Sequence, residues 1–137
     1  MHMPAGQAID LIHAVPHGAL ATHATELPGF PFATVLPFVP DACHRPVFLV
    51  SRLAEHTRNL LADPRASLLV YEAGPGDVQT GARLTLLGEV APFAPDEALV
   101  ARYLRYQPAA ARSSDPIMGS TRERRRAQLE LLRTLMH

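Results

Sequence analysis

Two prolines, Pro31 and Pro37, frame the apolar run PFATVLPFV, and their spacing constrains the fold more than any other feature of the chain. Proline has no amide hydrogen to give to a ladder, so a strand that carries it can pair fully along one edge only. Positions 31 and 37 share parity, which puts both missing donors on the same edge and leaves the other intact. That edge is a free border, a bulge or a wall for a ligand. Both parities of the run are apolar, the pattern of a strand covered on two faces.

The surrounding segments are short and do not alternate strictly between strand and helix. Residues 4 to 14 set Ala8, Ile9, Ile12 and Val15 at helical spacing, and Pro16 and Gly18 end that helix. ALATHA gives a first strand, and after PFATVLPFV the turn PDACHRP leads into the strand PVFLVS. A helix then opens near Leu53 and stops at Asp63-Pro64-Arg65, because a residue before proline is pushed out of the helical region. ASLLVYE and ARLTLLGEVAPF predict two more strands joined by AGPGDVQTG. In the second, Leu84, Leu86 and Gly88 alternate with Arg83, Thr85 and Leu87, so one face is apolar and the other mixed. Pro95, Asp96 and Glu97 at one end and Arg102 and Arg105 at the other suit the dipole of a helix over 95–106. Leu129, Leu132 and Leu135 or Met136 fall at helical spacing and predict a last helix over 122–136. This order predicts a mainly β domain, an antiparallel sheet curled into a small barrel with helices at its ends.

The chain has 137 residues, enough for one domain with a real core, and 47% of them are apolar, within the globular range. Thirteen basic residues, all arginine, balance thirteen acidic ones. A neutral chain offers no long-range attraction to nucleic acid or anionic lipid, and without lysine it has no Schiff-base amine. A single cysteine, Cys43, excludes an intrachain disulfide and fits a reducing compartment. With neither a membrane-spanning apolar run nor a signal-peptide layout, the expectation is a soluble cytoplasmic protein.

The stretch SRLAEHTRN, residues 51–59, lies at a strand-to-helix junction. A helix opening near Leu53 would bring Arg52, Glu55, His56 and Asn59 onto one arc, with Leu53, Thr57, Leu60 and Leu61 as the buried stripe. A helix start beside a guanidinium, a hydroxyl and an imidazole can cradle a phosphate, while taken in isolation the same pattern is more often an ordinary solvated helix face.

The succession PFATVLPF, PVFLVSRLAEHTRNLLADPRASLLV and ARLTLLGEV resembles the FMN-binding split barrel of the pyridoxamine-phosphate-oxidase-like superfamily, nearest the branch of haem-utilisation and related flavin proteins. The likeness spans roughly residues 14 to 107, and SRLAEHTRN followed by ADPRASLL is its most specific part. It implies a six-stranded antiparallel split barrel that forms a homodimer with FMN in clefts between subunits. Ser51, Arg52, His56 and Asn59 would hold the phosphate. Ala33, Thr34, Val35, Leu36 and Pro37 would lie along the ring, and the partner would add Arg83 and Thr85. His56 and Ala54 stand where the oxidases proper have lysine and serine, so the substrate chemistry of those enzymes does not carry over. The tail from 108 to 137 departs from the pattern, which predicts a barrel domain over 1–107, a helical tail and a missing closing strand. An FMN-dependent oxidoreductase of unknown substrate is the first functional expectation. The alternative is a dimeric module without catalysis, or a haem-binding or haem-utilisation protein on the same barrel.

Other constellations carry less. Seven histidines show no spacing of a closed metal site; His17 and His23 flank the first strand, where they could line a cleft or serve as ordinary strand-end residues. Cys43-His44 lacks a positioned base, GPGD at 74–77 lacks the Lys-Ser/Thr of a phosphate loop, and the basic run RERRR fits a solvated helix face.

Overall fold

The computed structural model of the chain describes residues 5–77, 79, 81–112 and 129–136. In chain order the elements are α1 (Ala5–Ala14), β1 (His17–His23), β2 (Pro31–Pro37), β3 (Val39–Pro40), β4 (Pro46–Ser51), α2 (Glu55–Ala62), β5 (Arg65–Tyr71), β6 (Arg83–Phe93), α3 (Glu97–Tyr106), α4 (Ala109–Arg112) and β7 (Leu129–Met136). The seven strands form one antiparallel sheet in the order β2-β1-β5-β6-β7-β4-β3. Among the described residues no helix is long and apolar enough to cross a membrane.

The proline parity holds. Phe38 N–H donates to Pro16 C=O at 3.2 Å and Ala24 N–H to Phe30 C=O at 3.0 Å, which turns the even-numbered residues of β2 toward β1. The odd-numbered ones, including both prolines, direct their backbone polar groups to the opposite edge. Two-sided burial of this strand does not hold. As a border strand it covers Phe32, Thr34 and Leu36 on one face only, while Val35 on the other is 70% exposed.

β2 and β3 stand at opposite borders of the sheet yet are separated only by Phe38, so the sheet curls until its two borders meet along one stretch of chain. The ladder does not close. No pairing joins β2 to β3 or β4 among the described residues, and a seven-stranded curled sheet stands where six barrel strands were expected. The concave side holds the core: Leu20, Leu36, Phe38, Phe48, Val50, Leu68, Val70 and Val90 from the strands, closed by Leu11 and Ile12 of α1 and Leu60 of α2. A second cluster packs Val39 and Val47 against Tyr103 of α3.

The last element corrects the expected helical tail. Residues 129–136 are β7, inserted between β6 and β4 with Val47, Arg133 and Ala91 in one row. Leucines at 129, 131, 132 and 135 fit either period, so the local pattern cannot decide. Two otherwise unpaired strand edges can, because every backbone group they hold needs a partner. The residues after 108 thus include a central strand of the same sheet. The RERRR run, 122–126, lies outside the described residues.

Candidate functional site

At the end of β4, Ser51 organises a turn. Its carbonyl accepts from Ala54 N–H at 3.2 Å and from the Thr57 hydroxyl at 2.6 Å, and its own Oγ accepts from Leu53 N–H at 3.2 Å. This delays α2 to Glu55 and leaves Leu53 outside the helix. Leu53 and Leu61, expected to be buried, are 71% and 60% exposed, and the covered residues are Thr57, Asn59 and Leu60. Ala54 occupies the N-cap position in an extended conformation and offers no side-chain acceptor. The amides of Glu55 and His56 therefore open the helix without a cap, while those of Thr57 and Arg58 return to Ala54 C=O.

His56 lies in this first turn, half-buried, and its Nε2 is buried with no hydrogen-bond partner among the described residues. Burial lowers its pKa below the ordinary value and favours the neutral ring. Arg52 is exposed on the turn just before the helix. Asn59 has a different place. It is fully buried, its Oδ1 accepts from Thr25 N–H and Thr25 Oγ1, both at 3.1 Å, and its Nδ2 donates to Thr22 Oγ1 at 3.1 Å. Its polar atoms bind the fold itself, bolting α2 to β1 and the loop after it.

Asp41 N–H donates to Arg45 C=O at 2.9 Å, so the odd-numbered residues of β3 direct their polar groups to β4. The odd-numbered residues of β2 face the same way, toward β4. β2 and β4 remain in contact after diverging at Phe38, without pairing among the described residues. The odd-numbered edge of β2 and the end of β4 that leads into α2 thus both border the unclosed side of the sheet. Thr34 and Leu36 turn their backbone to β1 and their side chains inward.

Arg83 and Thr85 are elsewhere. Ser51 lies on one side of the row shared by Val47 and Ala91, and Arg83 lies on the other, so a single chain does not bring them together. They occupy the convex face, where Val35, Ala19, Leu69 and Thr85 form one row and Ala33, Ala21, Ser67 and Leu87 the next. A hollow of about 450 Å³ opens at the far end of this face between His23, Pro31, Arg65, Leu87 and Glu89, and none of the expected site residues lines it. There Arg65 holds the Asp63 carboxyl down at about 2 through bonds of 3.0 and 2.8 Å. The sequence reading missed Thr22 and Thr25. The one available signal was a polar residue, Thr22, in phase with inward Leu20.

The curled antiparallel sheet with its flanking helices defines a mainly β protein in which the helix after β4 opens without a side-chain cap. Residues 6–133 match the pyridoxamine 5'-phosphate oxidase family model, and the chain belongs to that family. Among curated proteins it is 42% identical over 72 residues to the non-canonical heme oxygenase HOZ of Arabidopsis thaliana chloroplasts, which covers 53% of this chain but 22% of the plant protein. Among solved structures, a heme binding protein from Mycobacterium smegmatis is 28% identical with a TM-score of 0.73, covering 100% of this chain and 53% of that one. A FAD-binding protein from Mesorhizobium loti, 17% identical with a TM-score of 0.68 and coverage of 98% and 91%, shares the fold.

Proposed function

We propose that this chain is an FMN-binding protein, an oxidoreductase of unknown substrate, whose flavin lies in the split between β2 and the β4–α2 junction. One observation carries the reading: the helix start at Glu55 and His56 has amides without a side-chain cap and, among the described residues, a buried imidazole nitrogen without a partner. A phosphate satisfies all of these donors at once. Ser51, Arg52 and His56 would hold it, with Asn59 fixing the helix that presents them. Arg52 offsets the Glu55 carboxylate, which by itself opposes an anion at this place. The backbone of Ala33, Val35 and Pro37 would meet the polar edge of the ring, while Thr34 and Leu36 anchor the strand from its buried side. Bound FMN supplies hydride or electron transfer through its own ring, and the protein contributes binding, orientation and exclusion of water.

A homodimer belongs to this proposal. The convex rows of β2, β1, β5 and β6 expose Val35, Leu69 and Leu87 around small residues, an apolar patch that a second copy would cover. That copy would carry Arg83 and Thr85 toward the flavin. A lone exposed Cys43 fits the reducing cytoplasm.

A second reading, haem in place of flavin, is favoured by the names of the relatives at 42% and 28% identity. Haem needs an axial ligand, and neutral His56 has the unpartnered nitrogen for it. Visible spectra of the purified protein, alone and after FMN or haemin is added, separate the readings. A bound, two-banded flavin spectrum is expected. A Soret band with no flavin uptake would replace the first reading by the second, and a colourless protein that takes up neither would leave a binding module without a prosthetic group.

A further inference from the structure

Three side-chain clasps tie the ends of α1, β3 and α3 along one seam outside the proposed flavin site. Gln107 Nε2 donates to Pro16 C=O at 2.6 Å and to Phe38 C=O at 3.3 Å, and Arg102 Nε donates to Pro40 C=O at 2.9 Å. The third joins His13, in the last turn of α1, to His44, in the turn between β3 and β4. Their ring nitrogens, His13 Nε2 and His44 Nδ1, are 2.9 Å apart and the rings cross at 73°. This is the geometry of a hydrogen bond in which one ring gives a proton to the lone pair of the other. An amide does not titrate and a guanidinium stays charged throughout the working range of a protein, so the histidine pair is the clasp of the three that a proton can undo. The turn presents His44 independently of its partner. His44 is the only non-glycine residue with a positive φ among the described residues, at 64°. Asp41 closes the chain around it: its Oδ1 accepts from the amides of Cys43 and Arg45 at 2.9 Å, its Oδ2 from Arg45 Nε at 3.1 Å, and its carbonyl from His44 N–H at 2.9 Å.

We propose that the pair is an acid-released latch of α1 on the β3–β4 turn, closed while at most one of the two rings is protonated and open once both are. The first proton leaves the bond in place, because an imidazolium donates to a neutral ring at least as well as a neutral ring does. The second removes the acceptor and sets two positive rings against each other. The two protons therefore belong to the pair, and only the later one opens it. The charged groups facing the pair are Asp10 from α1, Arg102 from α3, and Asp41 and Arg45 from the turn, of which the last two neutralise each other at 3.1 Å. Burial, then His44, then the Arg102 guanidinium lower the pKa of His13, and Asp10 opposes them. The neutral ring is thus favoured in the fold. The contribution of the latch is present above the unfolded histidine value of about 6.5 and is lost as pH falls through the lower folded one. Once it opens, Leu11 and Ile12 still bury α1 in the core, and Gln107 and Arg102 still hold α3. Acid then loosens the last turn of α1 and leaves the sheet intact.

The test is nitrogen-15 NMR of the full chain from pH 7.5 to 4.5, in wild type, His13→Gln, His44→Asn and the control His17→Gln. It follows the ring nitrogens of His13 and His44 and the hydrogen-exchange protection, relative to an unstructured chain, of the Ala14 and Val15 amides. Asparagine tolerates a positive φ, so His44→Asn keeps the turn. His56 is present in all four proteins, so its own titration is common to them. In wild type and control, protection of the two amides is expected to fall at least fivefold across this range, in step with the second protonation of the pair. In both site variants it is expected to be low already at pH 7.5 and to change less than twofold. Equal protection in wild type and the folded site variants at pH 7.5, or an acid-induced loss that persists in them, would overturn the proposal. So would a wild type whose amides loosen without following the two rings, a result that needs no variant to fold.

Discussion

Asn59 shows how a single buried side chain can hold two halves of a site in register. Its amide satisfies Thr22 on β1 and both donors of Thr25, and Thr22 in turn reaches Phe32 C=O on β2 at 3.5 Å. Asn59→Ala would leave the buried Thr22 hydroxyl without this partner, while Thr25, on the exposed loop, can turn to water. A loss of about 1–3 kcal/mol is expected from the unmade buried bond, read as a lower urea midpoint. An unchanged midpoint would mean that the network contributes nothing. His56 gives a pH dependence whose sign follows from burial. Its folded pKa lies below the unfolded value of about 6.5, so the neutral ring is favoured in the fold. The associated stability is present above that value and is lost as pH falls through the lower folded pKa. His56→Gln should flatten the loss between pH 7 and 5, and a slope identical to wild type would contradict the assignment. The arc of Arg52, His56 and Asn59 was visible in the sequence, but the inward commitment of Asn59 was not. Its partners lie 34 and 37 residues away, and no local pattern reports them.

Among the elements, β2 was the most legible, because proline writes its constraint into the backbone without help from any neighbour. α2 was less so. The Thr57 hydroxyl reaches Ser51 C=O, a side-chain bond that periodicity does not encode; the later start leaves Leu53 outside the helix, and the inward turn of Asn59 puts Leu61 at the surface. β7 was illegible for a different reason: its leucines suit two periods, and the vacancy between β6 and β4 exists only once the sheet has formed. The pairing of β1 with β5 carries a further expectation. A Cβ on Gly18 would lie 2.8 Å from both Leu68 Cδ1 and Leu69 C=O. The side chain could yield but the backbone carbonyl belongs to the ladder, so Gly18→Ala should cost about 1–3 kcal/mol and lower the melting temperature. A variant as stable as wild type would show that the two strands can part there without penalty.

For the whole molecule, the convex face of β2, β1, β5 and β6 is the feature that one chain does not explain. Leu87 is 68% exposed and lies beside Ser67 in the row that continues through Ala21 to Ala33. In a homodimer through this face, a charge at position 87 must be buried without a partner. Leu87→Lys is therefore expected to shift the mass seen by light scattering from dimer toward monomer, and an unchanged dimer would place the interface elsewhere. Fold class and family were legible because they rest on strand order and on one compact motif. Which group the proposed site would hold was not, since the flavin and haem readings both call on His56.

The decisive measurement is an FMN titration, followed by flavin fluorescence, of wild type and Arg52→Ala. The loss of a charge-assisted contact worth about 1.5–3 kcal/mol weakens binding by a factor of ten or more. Saturable binding in wild type and at least tenfold weaker binding in the variant are expected. Equal affinity in the two proteins, or a wild type indifferent to saturating FMN, would contradict a phosphate site at the β4–α2 junction.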